Sequence, residues 1–131
     1  MSAVQSSFLR RVIAVDAAAC AASGALMAFA AQPLAALTGL QPALTQPAGV
    51  FLLVWAALLA FLATRPALPR PVVWTLIGVN VLWVVESALV LMPGWAQPTA
   101  LGYGFVIAQA AAVAVIADLQ FMGLRRAERL A

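Results

Sequence analysis

The segment Arg65-Pro66-Ala67-Leu68-Pro69-Arg70-Pro71 lies at the centre of the chain, between two long apolar runs. It combines two arginines with three prolines, and proline in a helix interior removes a hydrogen bond and breaks the helix. Because the segment is short and stiff, the two runs beside it should form antiparallel neighbouring helices. We therefore predict a helical hairpin with this segment as its basic turn.

Working outward from the turn, the chain contains four hydrophobic runs. Each is long enough to cross a bilayer, whose hydrocarbon core takes about 17–25 helical residues. Backbone amides find no water in lipid, so we predict that every run is a helix. All eight prolines lie between the runs or at their edges, which agrees with these limits. The predicted fold is all-α, a single domain (residues 1–131) forming a four-helix transmembrane bundle. The predicted spans are about 12–31, 48–64, 72–92 and 100–122.

The basic residues predict the orientation of the bundle. All seven are arginines, in three clusters: before the first span, in the central turn and after the last span. Cytoplasmic loops retain positive charge, so we expect both termini and the central turn to be cytoplasmic. The expected location is a bacterial inner membrane, crossed several times. The arginines are Arg10, Arg11, Arg65, Arg70, Arg125, Arg126 and Arg129.

The N-terminal segment also resembles a cleavable signal peptide. Arg10 and Arg11 precede an apolar stretch that contains Ala28-Phe29-Ala30, a pattern typical of such leaders. Asp16 lies inside that stretch, and an aspartate there argues against a signal peptide. We therefore expect the first helix to be retained.

The connector from residue 32 to residue 47 is longer than the others and uncharged. Within it, Pro33 is typical of a helix start and Gly39 of a helix end. We predict a short interfacial helix over about 33–39, on the side of the membrane opposite the arginines.

Aromatic residues occur at two predicted depths. Trp74, Trp95 and Tyr103 lie near span ends, where amphipathic rings anchor helices at the membrane interface. Trp55 and Trp83 lie deeper and are expected to pack between helices.

The composition narrows the function classes. The chain is 66% hydrophobic and 8% charged, whereas soluble domains are about one quarter charged. Its net charge of +3 comes from arginines at span ends, so we expect anionic lipid head groups as partners and no nucleic acid. With no histidine and one cysteine, we expect no metal site, no cofactor and no disulfide.

Five polar residues inside the spans are the candidate site. Ionisable and polar groups are costly in a membrane and are functional candidates by default. The ionisable candidates lie at different depths, and the two amides lie near the midplane. The candidates are Glu86, Asp16, Asp118, Asn80 and Gln109.

The two aspartates admit two interpretations. Each lies about 10 Å inside the arginine-bearing boundary at 1.5 Å per residue. Asp16 and Asp118 could pair with arginines such as Arg11 or Arg125 and tie the helix ends together. Alternatively, they could share one proton and form a relay.

On the first helix, Asp16 falls on one face with Cys20, Ser23 and Met27, and we expect that face to point inward. These residues follow a helical spacing.

The amides should fix the register of the last two spans. Asn80 and Gln109 approach the midplane from opposite sides and could hydrogen-bond across the hairpin. Asn80 shares a face with Trp83 and Ser87, while Glu86 is rotated about 120° from Asn80. Glu86 therefore need not join that face.

Glu86 is the residue we expect to act if any residue is chemically active, because no arginine lies at its depth. One interpretation is a neutral, structural glutamate that donates to Tyr103, Ser23 or a backbone carbonyl; the other is a proton-coupling glutamate. The last span is rich in alanine and glycine, which permits close contact inside the bundle or with a partner subunit.

These observations favour a noncatalytic membrane protein: an accessory or assembly subunit, or an oligomeric scaffold, that binds a larger membrane protein or itself. The alternative is a small proton-coupled transporter or channel that acts as a homo-oligomer through Glu86. A membrane enzyme has the least support, since the sequence carries no catalytic motif.

Overall fold

The computed structural model of this chain describes residues 3–4, 6–92 and 98–130. Four of its helices are long and apolar enough to cross a membrane. The predicted all-α class is therefore confirmed, and the protein is a multi-pass membrane protein. The predicted anchor Trp95 lies outside the described residues. The helices are α1 (Ser7–Phe29), α2 (Ala31–Thr38), α3 (Pro42–Ala63), α4 (Arg70–Val90) and α5 (Ala100–Leu130).

The helices extend beyond the predicted limits. The side chain of Ser6 caps α1 by accepting from the Leu9 amide at 3.1 Å, so this helix starts ahead of its arginines. Helix α3 begins at Pro42, which places Pro47 inside it. The prediction that all prolines lie outside the helices or at their edges is wrong there, because α3 begins six residues before the predicted span and so includes Pro47. Helix α5 continues through the last arginines to Leu130.

The N-terminus, the central turn and the C-terminus meet at one end of the bundle. Strand β1 (Ala3–Val4) pairs antiparallel with β2 (Leu68–Pro69) in the central turn. Arg70, at the start of α4, forms an ion pair with Glu128 near the end of α5. Arg10 donates to the last backbone carbonyl of α3 at 3.3 Å. All three arginine clusters thus belong to one end, which we call the arginine end.

The helices pack as two pairs. Helix α1 lies against α3, and α4 lies against α5, while contacts between α1 and α5 join the pairs. The backbones of the first pair approach each other closely at Gly24 and Gly49. A methyl group added to Gly49 would lie 2.5 Å from the Ala28 nitrogen and 2.8 Å from the Gly24 oxygen. Glycine at both positions is what allows these two backbones to touch.

Helix α2 is the short helix that the connector predicts, although it begins two residues before Pro33. It ends at Gly39, which has the left-handed φ of 73° that glycine adopts readily. The carbonyl of Thr38 accepts from the Thr99 amide at 2.8 Å. This bond ties the end of α2 to the start of α5, at the end of the bundle opposite the arginines.

The apolar core is concentrated toward the arginine end. The largest fully buried apolar side chains come from the first turns of α1 and α4, the last turns of α3 and α5, and the central turn. They are Leu9, Ile13, Leu59, Leu68, Val73, Leu76 and Leu124. The half of the bundle beyond them contains the cavities described below.

Candidate functional site

Asp16 is the centre of a buried polar network that joins three helices. Its side chain on α1 is only 1% exposed. Its Oδ2 atom accepts from Asn80 Nδ2 on α4 and from Gln120 Nε2 on α5, both at 3.1 Å. Asn80 Nδ2 also donates to Gln120 Oε1 at 2.9 Å, which closes the triangle. The Cys20 thiol donates to Asp16 Oδ1 at 3.4 Å.

The network forms because its three main members lie in one layer. Asp16 is nine residues from the start of α1, Asn80 is ten from the start of α4 and Gln120 is ten from the end of α5. At 1.5 Å per residue, each lies about 14–15 Å from the arginine end. Short amide side chains can therefore reach the carboxylate without distortion of the helices.

Gln120 is the member that the sequence analysis misses. It is fully buried and lies four residues from both Ile116 and Leu124, which are buried too. Helical spacing places these three on one face. An apolar face interrupted by a single glutamine is the signal that identifies it.

The arginines bind elsewhere, so the predicted pairing of Asp16 with arginine is wrong. Arg70 and Arg125 both lie against Glu128, the latter at 3.8 Å. Among the residues that the structure describes, Asp16 forms no ion pair and its partners are neutral. An acid buried with neutral donors alone is costly at membrane depth, so Asp16 remains a candidate functional residue.

Asp118 does not meet Asp16, so the predicted shared proton has no structural basis. It is exposed, and it lies in a groove between α4 and α5 whose walls include Val81 and Phe121. The reason is helical geometry, since Asp118 and Gln120 are two residues apart on α5 and point in different directions. Only Gln120 faces α1.

A cavity of about 130 Å³ adjoins the network, and we call it the Asp16 cavity. All four long helices line it, and its surface is mostly aromatic and aliphatic. Phe51 stacks on Trp55 with ring centroids 6.0 Å apart, and on Trp83 with centroids 6.3 Å apart. The predicted inward face of α1 contributes Asp16, Cys20 and Ser23. Further lining residues are Ala19, Leu52, Val79, Asn80, Phe105, Gln109, Ala112, Val113 and Ile116.

The predicted hydrogen bond between Asn80 and Gln109 does not form. The Asn80 amide donates to Asp16 and Gln120 instead. Gln109 Oε1 accepts from Trp83 Nε1 at 2.9 Å. Side-chain hydrogen bonds still join α4 to α5 across the hairpin, but they run from Asn80 to Gln120 and from Trp83 to Gln109. The cause is the depth of Gln120, which lies level with Asn80 while Gln109 lies about three turns away.

Glu86 lies in a second cavity, of about 120 Å³, on the far side of Trp83. This Glu86 cavity and the Asp16 cavity share Trp83, Phe105 and Gln109 as walls. We call these three side chains the partition. Glu86 itself is exposed, and in the described residues it forms no hydrogen bond to Tyr103 or Ser23. The other lining residues include Met27, Leu40, Leu44, Thr45, Ala48, Ser87, Val90 and Val106.

The arrangement therefore has two carboxylates, each in its own cavity, with one hydrogen-bonded wall between them. Acidic groups can hold a proton or a cation, and the aromatic walls offer apolar and cation–π contact. Within the described ranges, no three acidic or cysteine side chains come together as metal ligands.

Comparisons of this chain with protein-family models, with curated proteins and with solved structures find no match.

Proposed function

We propose that this protein is a small proton-coupled transporter, in which a proton and a small solute move past Glu86, the partition and Asp16. The observation that supports the proposal is the pair of adjoining cavities, each with a carboxylate, separated by Trp83, Phe105 and Gln109. A scaffold has no need for two cavities in series.

The partition is suited to open and close. Its single hydrogen bond, from Trp83 to Gln109, is of the kind that contributes about 0.6 kcal/mol on average in membranes. A rotation of either side chain breaks the bond and joins the two cavities. Trp83 and Gln109 are both only partly buried, so each has room to turn.

The two acids have different surroundings, which gives the path a direction. Glu86 is exposed and lies about 6 Å from the last residue of α4, so it can exchange protons at that end. Asp16 is enclosed by Asn80 and Gln120. We infer that Glu86 takes up the proton first. Asp16 receives that proton only when the partition opens.

We further propose that the arginine end faces the cytoplasm of a bacterial inner membrane and binds anionic lipids there. The three arginine clusters at that end support this orientation. Reporter fusions at each terminus test it, and an exterior signal from either fusion contradicts it.

Proton flux into proteoliposomes containing an internal pH dye tests the transport proposal. Wild-type protein should acidify the lumen under an imposed gradient, and Glu86→Gln should reduce the rate at least tenfold. Asp118→Asn is the matched control, because Asp118 lies outside both cavities. If Glu86→Gln transports as well as wild type, or if it chiefly lowers thermal stability, then Glu86 is not the coupling residue.

A second candidate is the accessory or scaffold role, acting with a larger membrane protein or with further copies of the chain. It is supported by Asp118, whose exposed carboxylate lies in an apolar groove on the outside of the bundle. A carboxylate there is costly in lipid and would be compensated by a partner's donor or cation. Native mass spectrometry after mild extraction decides: a stoichiometric unrelated subunit favours this role, and a homo-oligomer favours the transporter.

A further inference from the structure

The walls of the Asp16 cavity resemble a site for an organic cation. Phe51 lies almost parallel to Trp55 and Trp83, with interplanar angles of 15° and 12°. Aromatic faces attract cations through their quadrupole, most strongly for tryptophan. Phe105 adds a fourth ring to the lining. The cavity thus combines an aromatic surface with a carboxylate.

Asp16 retains capacity for one more donor. A carboxylate offers about four acceptor positions, and three are used by Asn80, Gln120 and Cys20. None of these donors carries a positive charge. A ligand N–H placed in the cavity would fill the remaining position and also neutralise the buried acid.

The indole of Trp55, a residue that lines the cavity, contains a donor without a partner among the described residues. Its indole Nε1 is buried and has no hydrogen-bond partner in the described part of the chain, although Trp55 lines the cavity. Buried donors are almost always satisfied by protein, water or ligand. A bound molecule with an acceptor atom, or water bound beside it, would supply the missing partner.

An inorganic cation fits this site less well. Sodium, calcium and magnesium prefer a shell of oxygen ligands. Here Asn80 and Gln120 turn their N–H groups toward Asp16, and the walls are aromatic. Size also favours an organic ligand, because a cavity of about 150 Å³ holds benzene, close to the 130 Å³ found here.

We propose that the Asp16 cavity binds a small organic cation: a protonated amine that carries one ring-sized apolar group. The ammonium group donates to Asp16, and the apolar group packs against Phe51 and Trp83. This inference names the solute class of the transporter, so its physiological meaning rests on the proposed function, but binding itself can be measured separately.

The test uses the full-length protein in lipid nanodiscs and the probe benzylammonium. Benzyl alcohol is the matched neutral probe, since it has a similar shape without the charge. In a Trp74→Phe, Trp95→Phe background, the remaining tryptophans, Trp55 and Trp83, both line the cavity and report occupancy by fluorescence. We expect saturable binding of benzylammonium and at least tenfold weaker binding of benzyl alcohol.

Variants assign the binding to the cavity. Asp16→Asn should weaken benzylammonium binding at least tenfold while leaving benzyl alcohol unchanged. Because Asp16→Asn could also disturb folding, a second variant fills the cavity: Ala112→Phe should abolish binding. Ala111→Phe, one residue away and outside the lining, is its control. The proposal is overturned if benzylammonium does not bind, or if it binds Ala112→Phe as well as Ala111→Phe.

The two proposals fail in different ways. Benzylammonium binding without proton flux would overturn the transporter and leave the cation site standing. Glu86-dependent proton flux without benzylammonium binding would overturn the cation site and leave the transporter standing.

Discussion

The two halves of the bundle are packed differently. Between the arginine end and the Asp16 layer, the helices enclose fully buried leucine, isoleucine and valine side chains, and the Arg70–Glu128 ion pair joins the ends of α4 and α5. Beyond that layer the interior holds two cavities with aromatic walls. We call these the arginine half and the cavity half. Close packing gives stability and a single conformation, whereas cavities sacrifice stability and leave room for a ligand.

The largest expected effect is a leucine truncation in the arginine half. Leu124 is fully buried, so Leu124→Ala should lower the free energy of unfolding by about 2–5 kcal/mol. Leu44 lines the Glu86 cavity and is 41% exposed, so Leu44→Ala should cost about 1 kcal/mol or less. Unfolding titrations in mixed micelles measure both. Equal losses would mean that the two halves are packed alike.

A smaller effect is expected at a tight helix contact within the cavity half, where α1 and α3 touch at Gly24 and Gly49. Gly49→Ala should cost about 1–3 kcal/mol, because the added methyl group meets the backbone of α1. Gly78→Ala is the control, since nothing lies within 4 Å of the added atom. Thermal unfolding in detergent compares the two. If Gly78→Ala is as damaging as Gly49→Ala, the α1–α3 contact is not what orders this half.

The smallest of these effects is the coupling within the polar network that divides the halves. Asn80→Leu and Gln120→Leu should each destabilise the fold, and their combination should cost less than the sum. We expect a coupling free energy of about 0.5–2 kcal/mol from a double-mutant cycle. Additive losses would show that the two amides act independently and that the network is not one unit.

The arginine half was largely predictable from sequence, and the cavity half was not. The apolar runs and prolines predict the spans, and the arginine clusters predict that the three charged segments share one end of the bundle. Both predictions need only the local composition of the chain. Pro47 was predicted to lie outside a helix because the first six residues of α3 precede the apolar run from which the span was predicted.

The contacts of the candidate site were also only partly predictable from the sequence. Helical spacing alone places Asp16, Cys20 and Ser23 on one face. The choice of Gln120 over Gln109 as the partner of Asn80 depends on how far α5 extends past the predicted span and how it rotates against α4. A shift of a few residues in depth exchanges one glutamine for the other. Partners between helices therefore require the packed structure.

The most direct test of the proposed transport is whether water and solute reach the Asp16 cavity when the bundle is embedded in lipid. In a Cys20→Ser background, cysteine is placed at 112, in the cavity lining, or at 111, outside it. A charged methanethiosulfonate ammonium reagent is then applied to membrane vesicles, since it reacts only with hydrated thiols. If the cavity is a solute site, the reagent should modify 112, benzylammonium should protect 112, and 111 should be modified little. If 112 is no more reactive than 111, the cavity is a dry packing defect and the transport proposal fails.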